Sequence, residues 1–239
     1  MSETGHAKNI SNFAQVISIV SGLGASYDPN NPLIELANLQ TKLAALQTAF
    51  SAVAPLAATE TLAVNDRVAV FEPLSKLVTR ISNASAVNIN DPLFADNLRT
   101  IVLKLQGRRA GQVVNNPENA DEPPKTSSAS QMSYDNRLAH FFELITLLDT
   151  QGSYNPNEAD LQIPALQTLL AEMQTKNAAV INATIAVQNA RIARDEIAYN
   201  DTDGILALAN LVKKYVKSLF GANSPQYKQL TALQFRRVR

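Results

Sequence analysis

Two histidines, His6 and His140, and no cysteine are all that the chain offers for imidazole or thiolate chemistry. Without cysteine there are no disulfides, no thiolate nucleophile and no cysteine-type zinc site. Only one Glu-x-x-His string occurs, Glu3-Thr4-Gly5-His6, and His140 has none; a ferritin-like di-iron site needs a pair of them, so it is not expected. No His-Glu-x-x-His zinc motif occurs either. His6 is expected in a frayed terminus, and His140 is expected to pack on an amphipathic helix. The carboxylate pairs Glu158/Asp160 and Asp195/Glu196 do not share one helical face. No phosphate-binding glycine loop is present, and Ser127, Ser128 and Ser130 have no base near them in sequence. The chain is therefore expected not to be an enzyme, with no cofactor, no metal and no small-molecule substrate.

One charged feature remains. From Gly204 onward there is no acidic residue, while Lys213, Lys214, Lys217, Lys228, Arg236, Arg237 and Arg239 are all cationic. The formal net charge of the whole chain is zero, so this is a local segregation of charge rather than a global field. Tyr215, Phe220, Tyr227 and Phe235 are interleaved with the cations. Lys213, Lys214, Lys217, Lys228, Arg236 and Arg237 form a candidate surface for an anionic partner, nucleic acid or an anionic surface. The competing reading is a solvated face near a helix end, where cations are favoured, with the aromatics in the core.

The elements that position these groups read as helices. Few glycines, no tryptophan and 6% aromatic residues suit helix packing better than sheets. Leu36, Leu39, Leu43, Leu46, Phe50, Val53 and Ala57 follow a 3-4 spacing, one stripe of a helix. Short helices are expected over 9–22 and 134–149, a long one over 158–199 and another over 203–220, stopped by Gly221. A last helix should begin at Ser224-Pro225, a cap followed by a first-turn proline. Pro55 and Pro73 should kink or break the first long helix.

The string SYDPN at Ser26–Asn30 recurs as SYNPN at Ser153–Asn157, a shift of 127 residues. The same shift aligns Leu39-Gln40-Thr41 with Leu166-Gln167-Thr168, Asn9 with Asn136, and Arg67 with Arg194. It turns the apolar stripe into Ile163, Leu166, Leu170, Met173, Asn177, Val180 and Thr184. Asn177 and Thr184 are either buried polar groups or a stripe drifting to the surface. Slippage of about 20° per heptad favours drift. In each SYxPN turn the proline fixes φ and the neighbouring Asn or Asp can cap. Tyr27, Pro29, Asn30, Tyr154, Pro156 and Asn157 are thus structural turn residues, with the tyrosines closing a bundle end.

The expected fold is all-α: an elongated up-and-down helical bundle of two tandem copies of one multi-helix unit. Unit one is placed at 6–110, a flexible linker at 111–130 and unit two at 131–239, the two units packing as one bundle. The apolar stretch Phe13–Ala25 lacks the positive leader of a signal peptide, and no run reaches a membrane span. A cytoplasmic location is expected, with the sequons at Asn9, Asn83, Asn182 and Asn200 read as chance.

The segments SYNPNEADL (153–161), NARIARDEIAYND (189–201) and KKYVKSLFGANSPQYKQ (213–229), with Tyr134-Asp135-Asn136-Arg137, resemble an uncharacterised bacterial family of duplicated helical proteins of the kind found in Bacteroidota. The resemblance covers most of the second unit and less of the first. It implies the helical fold and supplies no catalytic residues. The leading expectation is a non-enzymatic structural or interaction protein that binds a protein partner or copies of itself. The alternative is an anionic-ligand binder acting through residues 204–239.

Overall fold

The computed structural model describes residues 5–108 and 132–238. The expected linker at 111–130 and Arg239 lie outside the described residues. The fold is all-helical, and no strand occurs among the described residues.

The elements are α1 (His6–Ser21), α2 (Leu36–Phe71), α3 (Leu74–Asn88), α4 (Pro92–Gln106), α5 (Tyr134–Gln151), α6 (Ile163–Tyr199), α7 (Ile205–Phe220) and α8 (Pro225–Ala232). Their starts follow local chemistry. Asp91 accepts from the amides of Leu93 and Phe94 ahead of Pro92, and Ser224 accepts from the amide of Tyr227 ahead of Pro225. Each side-chain oxygen satisfies an amide that the first helical turn leaves free. Gly221 ends α7 at φ 81°, a left-handed conformation that costs glycine little. Gly204 serves a different need: a Cβ there would lie 2.5 Å from the carbonyl oxygen of Asn200.

Pro73 separates α2 from α3, as its lack of an amide hydrogen requires. Pro55 does not break α2, which runs unbroken from Leu36 to Phe71. Pro55 and Ser51 are both exposed, so the carbonyl that loses its intrahelical partner faces water.

Chain contacts divide the protein into two compact units. The first joins Met1–Glu60 to Ala183–Arg239; the second is Thr61–Asn182. These units cut across the sequence halves at 6–110 and 131–239, because α2 and α6 each give one part to one unit and the remainder to the other. In the first unit α1 packs against α7 and α8. Its core holds Phe13, Val16, Leu39, Leu46, Ile205, Val212 and Val216. In the second unit α4 packs against α3 and α5, around Phe71, Val78, Ile81, Phe141, Leu144, Leu166 and Met173.

Stripe residues Leu39, Leu46, Leu166 and Met173 are buried as the spacing predicts. Asn177 departs from the expected drift. It is 7% exposed, accepts from Arg67 Nη1 at 3.1 Å and donates to Asp135 Oδ1 at 2.8 Å. Two partners from other helices offset the cost of burying its amide. Thr184 is half-buried and donates to Glu60 at 2.7 Å.

Candidate functional site

The acid-free stretch is split by the fold. The Lys213 ammonium turns inward: Nζ donates to the carbonyl of Leu233 at 2.7 Å and lies 5.3 Å from the centre of the Phe235 ring. Burial pushes its pKa down, since desolvation disfavours the charged form. Arg237 Nη2 donates to the carbonyl of Tyr199 at 3.2 Å. Its Nη1 is 3.8 Å from the Asp201 carboxylate. Lys217 is exposed, with Nζ 5.7 Å from the Tyr227 ring centre. Lys214, Lys228 and Arg236 are exposed. Of the six candidates, Lys213 and Arg237 therefore tie down the chain, while Lys214, Lys217, Lys228 and Arg236 present charge to solvent. Tyr215, Phe220, Tyr227 and Phe235 are half-buried.

What Lys213 ties down is the segment Leu233–Val238, which carries no helix. Two asparagines of α1 hold its main chain. Asn9 Nδ2 donates to the carbonyl of Arg236 at 2.7 Å, and Asn9 Oδ1 accepts from the amide of Arg236 at 3.2 Å. Asn12 Nδ2 donates to the carbonyl of Gln234 at 2.6 Å. Both asparagines are buried, at 3% and 4% exposure. Leu233, Phe235 and Val238 pack on the first core, and Gln234, Arg236 and Arg237 face solvent.

His6 belongs to the same corner and is not frayed. It is the first residue of α1, and its Nδ1 lies 2.9 Å from the Tyr199 hydroxyl. Asn9 Nδ2 donates to that hydroxyl at 3.3 Å, so the phenol sits between the Asn9 amide and the His6 ring. Burial and the neighbouring Arg194 guanidinium push the His6 pKa below its ordinary value, against an opposing pull from Asp195. Arg194 is itself paired with Asp195 at 2.7 Å.

The SYxPN turns are built alike. Tyr27 donates its hydroxyl to the carbonyl of Ile34 at 2.7 Å, and Tyr154 donates to that of Leu161 at 3.0 Å. Pro29 and Pro156 are buried, and Asn30 and Asn157 are exposed. Burial raises both phenol pKa values, that of Tyr154 to about 12. A buried, neutral phenol that closes a turn is a structural group.

In the second unit two arginines lie over aromatic rings. Arg67 Cζ is 3.9 Å from the centre of Tyr134, and Arg137 Cζ is 5.1 Å from that of Phe71. Arg137 also donates to the carbonyl of Phe71 at 2.7 Å. The Nε atoms of both are buried without a hydrogen-bond partner among the described residues; contact with the rings offsets part of that cost. Nearby on α5, an open groove of about 440 Å³ is lined by Phe142, Glu143, Thr146, Leu147 and Thr150. Phe142 is 59% exposed. His140 Nδ1 is 3.2 Å from Glu143 Oε2.

The pattern analysis missed the Asn9–Asn12 clamp and the stacked Arg67 and Arg137. Asn9 and Arg67 carried a signal as residues repeated at the 127-residue shift, and Arg137 as the last residue of the Tyr134-Asp135-Asn136-Arg137 string. Among the described residues, no group of three or more His, Asp or Glu is placed to hold a metal ion, and no helix is long and apolar enough to cross a membrane. Compared with protein-family models, curated proteins and solved structures, the chain matches none.

Proposed function

We propose that this chain is a non-enzymatic structural or interaction protein, built by tandem duplication of one helical unit and presenting helix faces to a protein partner or to copies of itself. The exposed apolar face of α5 carries the reading. Phe142 stands 59% exposed at a groove that also includes Leu147. Water around a ring of that size costs free energy that a covering surface recovers, at about 25 cal/mol per Å². Aromatic residues are also the commonest anchors of protein interfaces. The test is light scattering coupled to size exclusion on the wild-type chain and on Phe142→Asp. A defined, salt-insensitive assembly lost in Phe142→Asp supports the reading. A wild-type monomer that captures no protein from lysate removes it.

A second reading, binding of an anionic partner such as nucleic acid, is favoured by the exposure of Lys214, Lys217 and Lys228 in a stretch without acid. It requires salt-dependent retention on heparin that is lost when Lys214, Lys217 and Lys228 become Glu.

A further inference from the structure

The segment 233–238 carries no helix and is held by side chains of other elements. Four of its main-chain groups are bonded by side chains rather than by backbone: the carbonyl of Leu233 by Lys213, that of Gln234 by Asn12, and both the amide and the carbonyl of Arg236 by Asn9. An asparagine amide has one donor face and one acceptor face. Asn9 uses both on the main chain of the same residue, which fixes that residue in place and is indifferent to the side chain at 236. Discrimination comes from the apolar positions, where Leu233, Phe235 and Val238 enter the core and the residues between them face water. Main-chain bonds for affinity and alternate side-chain pockets for specificity are the elements of extended-peptide recognition.

We infer that α1, α7 and the end of α6 form a peptide groove for a non-helical Leu-x-Phe-x-x-Val segment, and that its occupant in trans is residues 233–238 of a second copy of this chain. The structure itself identifies the occupant, because that segment is already seated there. An identical copy offers the same six residues, so exchange replaces every contact with its equivalent at little cost. The covering segment joins α8 at Ala232, and its release uncovers the apolar side chains of Leu233, Phe235 and Val238. In a single chain the tethered segment holds the groove through its high local concentration. Exchange therefore grows with protein concentration. The inference gives the self-association proposed above a particular route, and it rests on that reading only in the sense that copies must meet.

Two full-length variants separate the parts, both carrying Phe142→Asp so that the α5 face cannot contribute. The first adds Asn9→Ala and Asn12→Ala, which disables the groove and frees its segment. The second adds Phe235→Asp, which disables the segment and leaves its groove open. Each alone should be a monomer by light scattering, and an equimolar mixture should give a species of twice the 25.9 kDa chain mass. A mixture that stays monomeric, with both variants helical by circular dichroism, overturns the inference. Should the Asn9→Ala, Asn12→Ala variant fail to fold, a fluorescein-labelled peptide of residues 232–239 is titrated into the Phe235→Asp chain and the wild-type chain by anisotropy; should Phe235→Asp fail to fold, Phe235→Ala takes its place in both measurements. Binding at least about tenfold tighter to Phe235→Asp supports the groove, since the wild-type segment competes. Equal binding, or no saturable binding to either, overturns it. Loss of assembly in Phe142→Asp alone bears on the α5 face and leaves this outcome unaffected.

Discussion

Replacing Asn9 with alanine should detach the segment 233–238 from α1 and lower stability measurably. The side chain is 3% exposed and makes two bonds to the Arg236 main chain, at 2.7 and 3.2 Å, besides its 3.3 Å contact with the Tyr199 hydroxyl. Each neutral amide bond contributes about 1 kcal/mol net, so the two to Arg236 amount to about 2 kcal/mol. At this chain length a loss of that size lowers Tm by roughly 4–8 °C. Thermal unfolding followed by circular dichroism measures it. Asn136→Ala is the internal control: Asn136 occupies the position matched at a shift of 127 but is exposed, so its loss should cost under about 0.5 kcal/mol. Hydrogen exchange adds a local readout, because the Arg236 amide donates to Asn9 Oδ1 and should lose protection in Asn9→Ala. Equal Tm values for the two variants, or unchanged exchange at Arg236, would refute the clamp.

Leu39→Ala and Leu166→Ala, each at a fully buried position in a different core, should cost about 2–5 kcal/mol in chemical denaturation; a loss below about 1 kcal/mol would contradict the packing. Tyr154→Phe should cost about 1–2 kcal/mol by leaving the Leu161 carbonyl without its donor. The raised pKa of Tyr154 means the fold favours the neutral phenol. Its contribution is complete below the unfolded value of 10.0 and is lost as pH rises towards about 12. Denaturation midpoints from pH 9 to 12 should therefore fall less steeply in Tyr154→Phe than in the wild type. His6 works in the opposite sense. Its lowered pKa makes neutral His6 part of the folded state, so stability is present above the unfolded value of 6.5 and falls as pH drops through the folded one. His6→Gln should flatten that acid limb in a pH series of urea titrations, and an unchanged limb would remove His6 from the account.

Much of the helical content was legible because its causes are local. The 3-4 spacing of Leu39, Leu43 and Leu46, the Ser224-Pro225 start and the Gly221 stop act within one or two turns. Each is visible in a short window of sequence. Pro55 shows where that locality ends. Proline removes one hydrogen bond and crowds the preceding turn, yet α2 continues through Pro55, and whether the rest of a helix outweighs that cost is not a property of a five-residue window. Asn177 and His6 failed for the same reason. The amide of Asn177 is tolerated inside because Arg67 and Asp135 arrive from other helices. His6 is ordered because Tyr199, 193 residues away, meets its ring.

The sequence by itself determined that the chain is helical, where most helices start and stop, and that the SYxPN strings are turns. Which helices share a core was decided only by the tertiary structure. Segments that match at one shift present equivalent apolar stripes, so a stripe in residues 6–110 could close on its own neighbours or on those from the other half. Pattern cannot separate the two, because both bury the same leucines. Packing does: residues 1–60 close with 183–239, and residues 61–182 close on themselves. The same long-range packing turned Lys213 inward, tied the exposed Arg237 to the Tyr199 carbonyl, and left Lys214, Lys217, Lys228 and Arg236 in water.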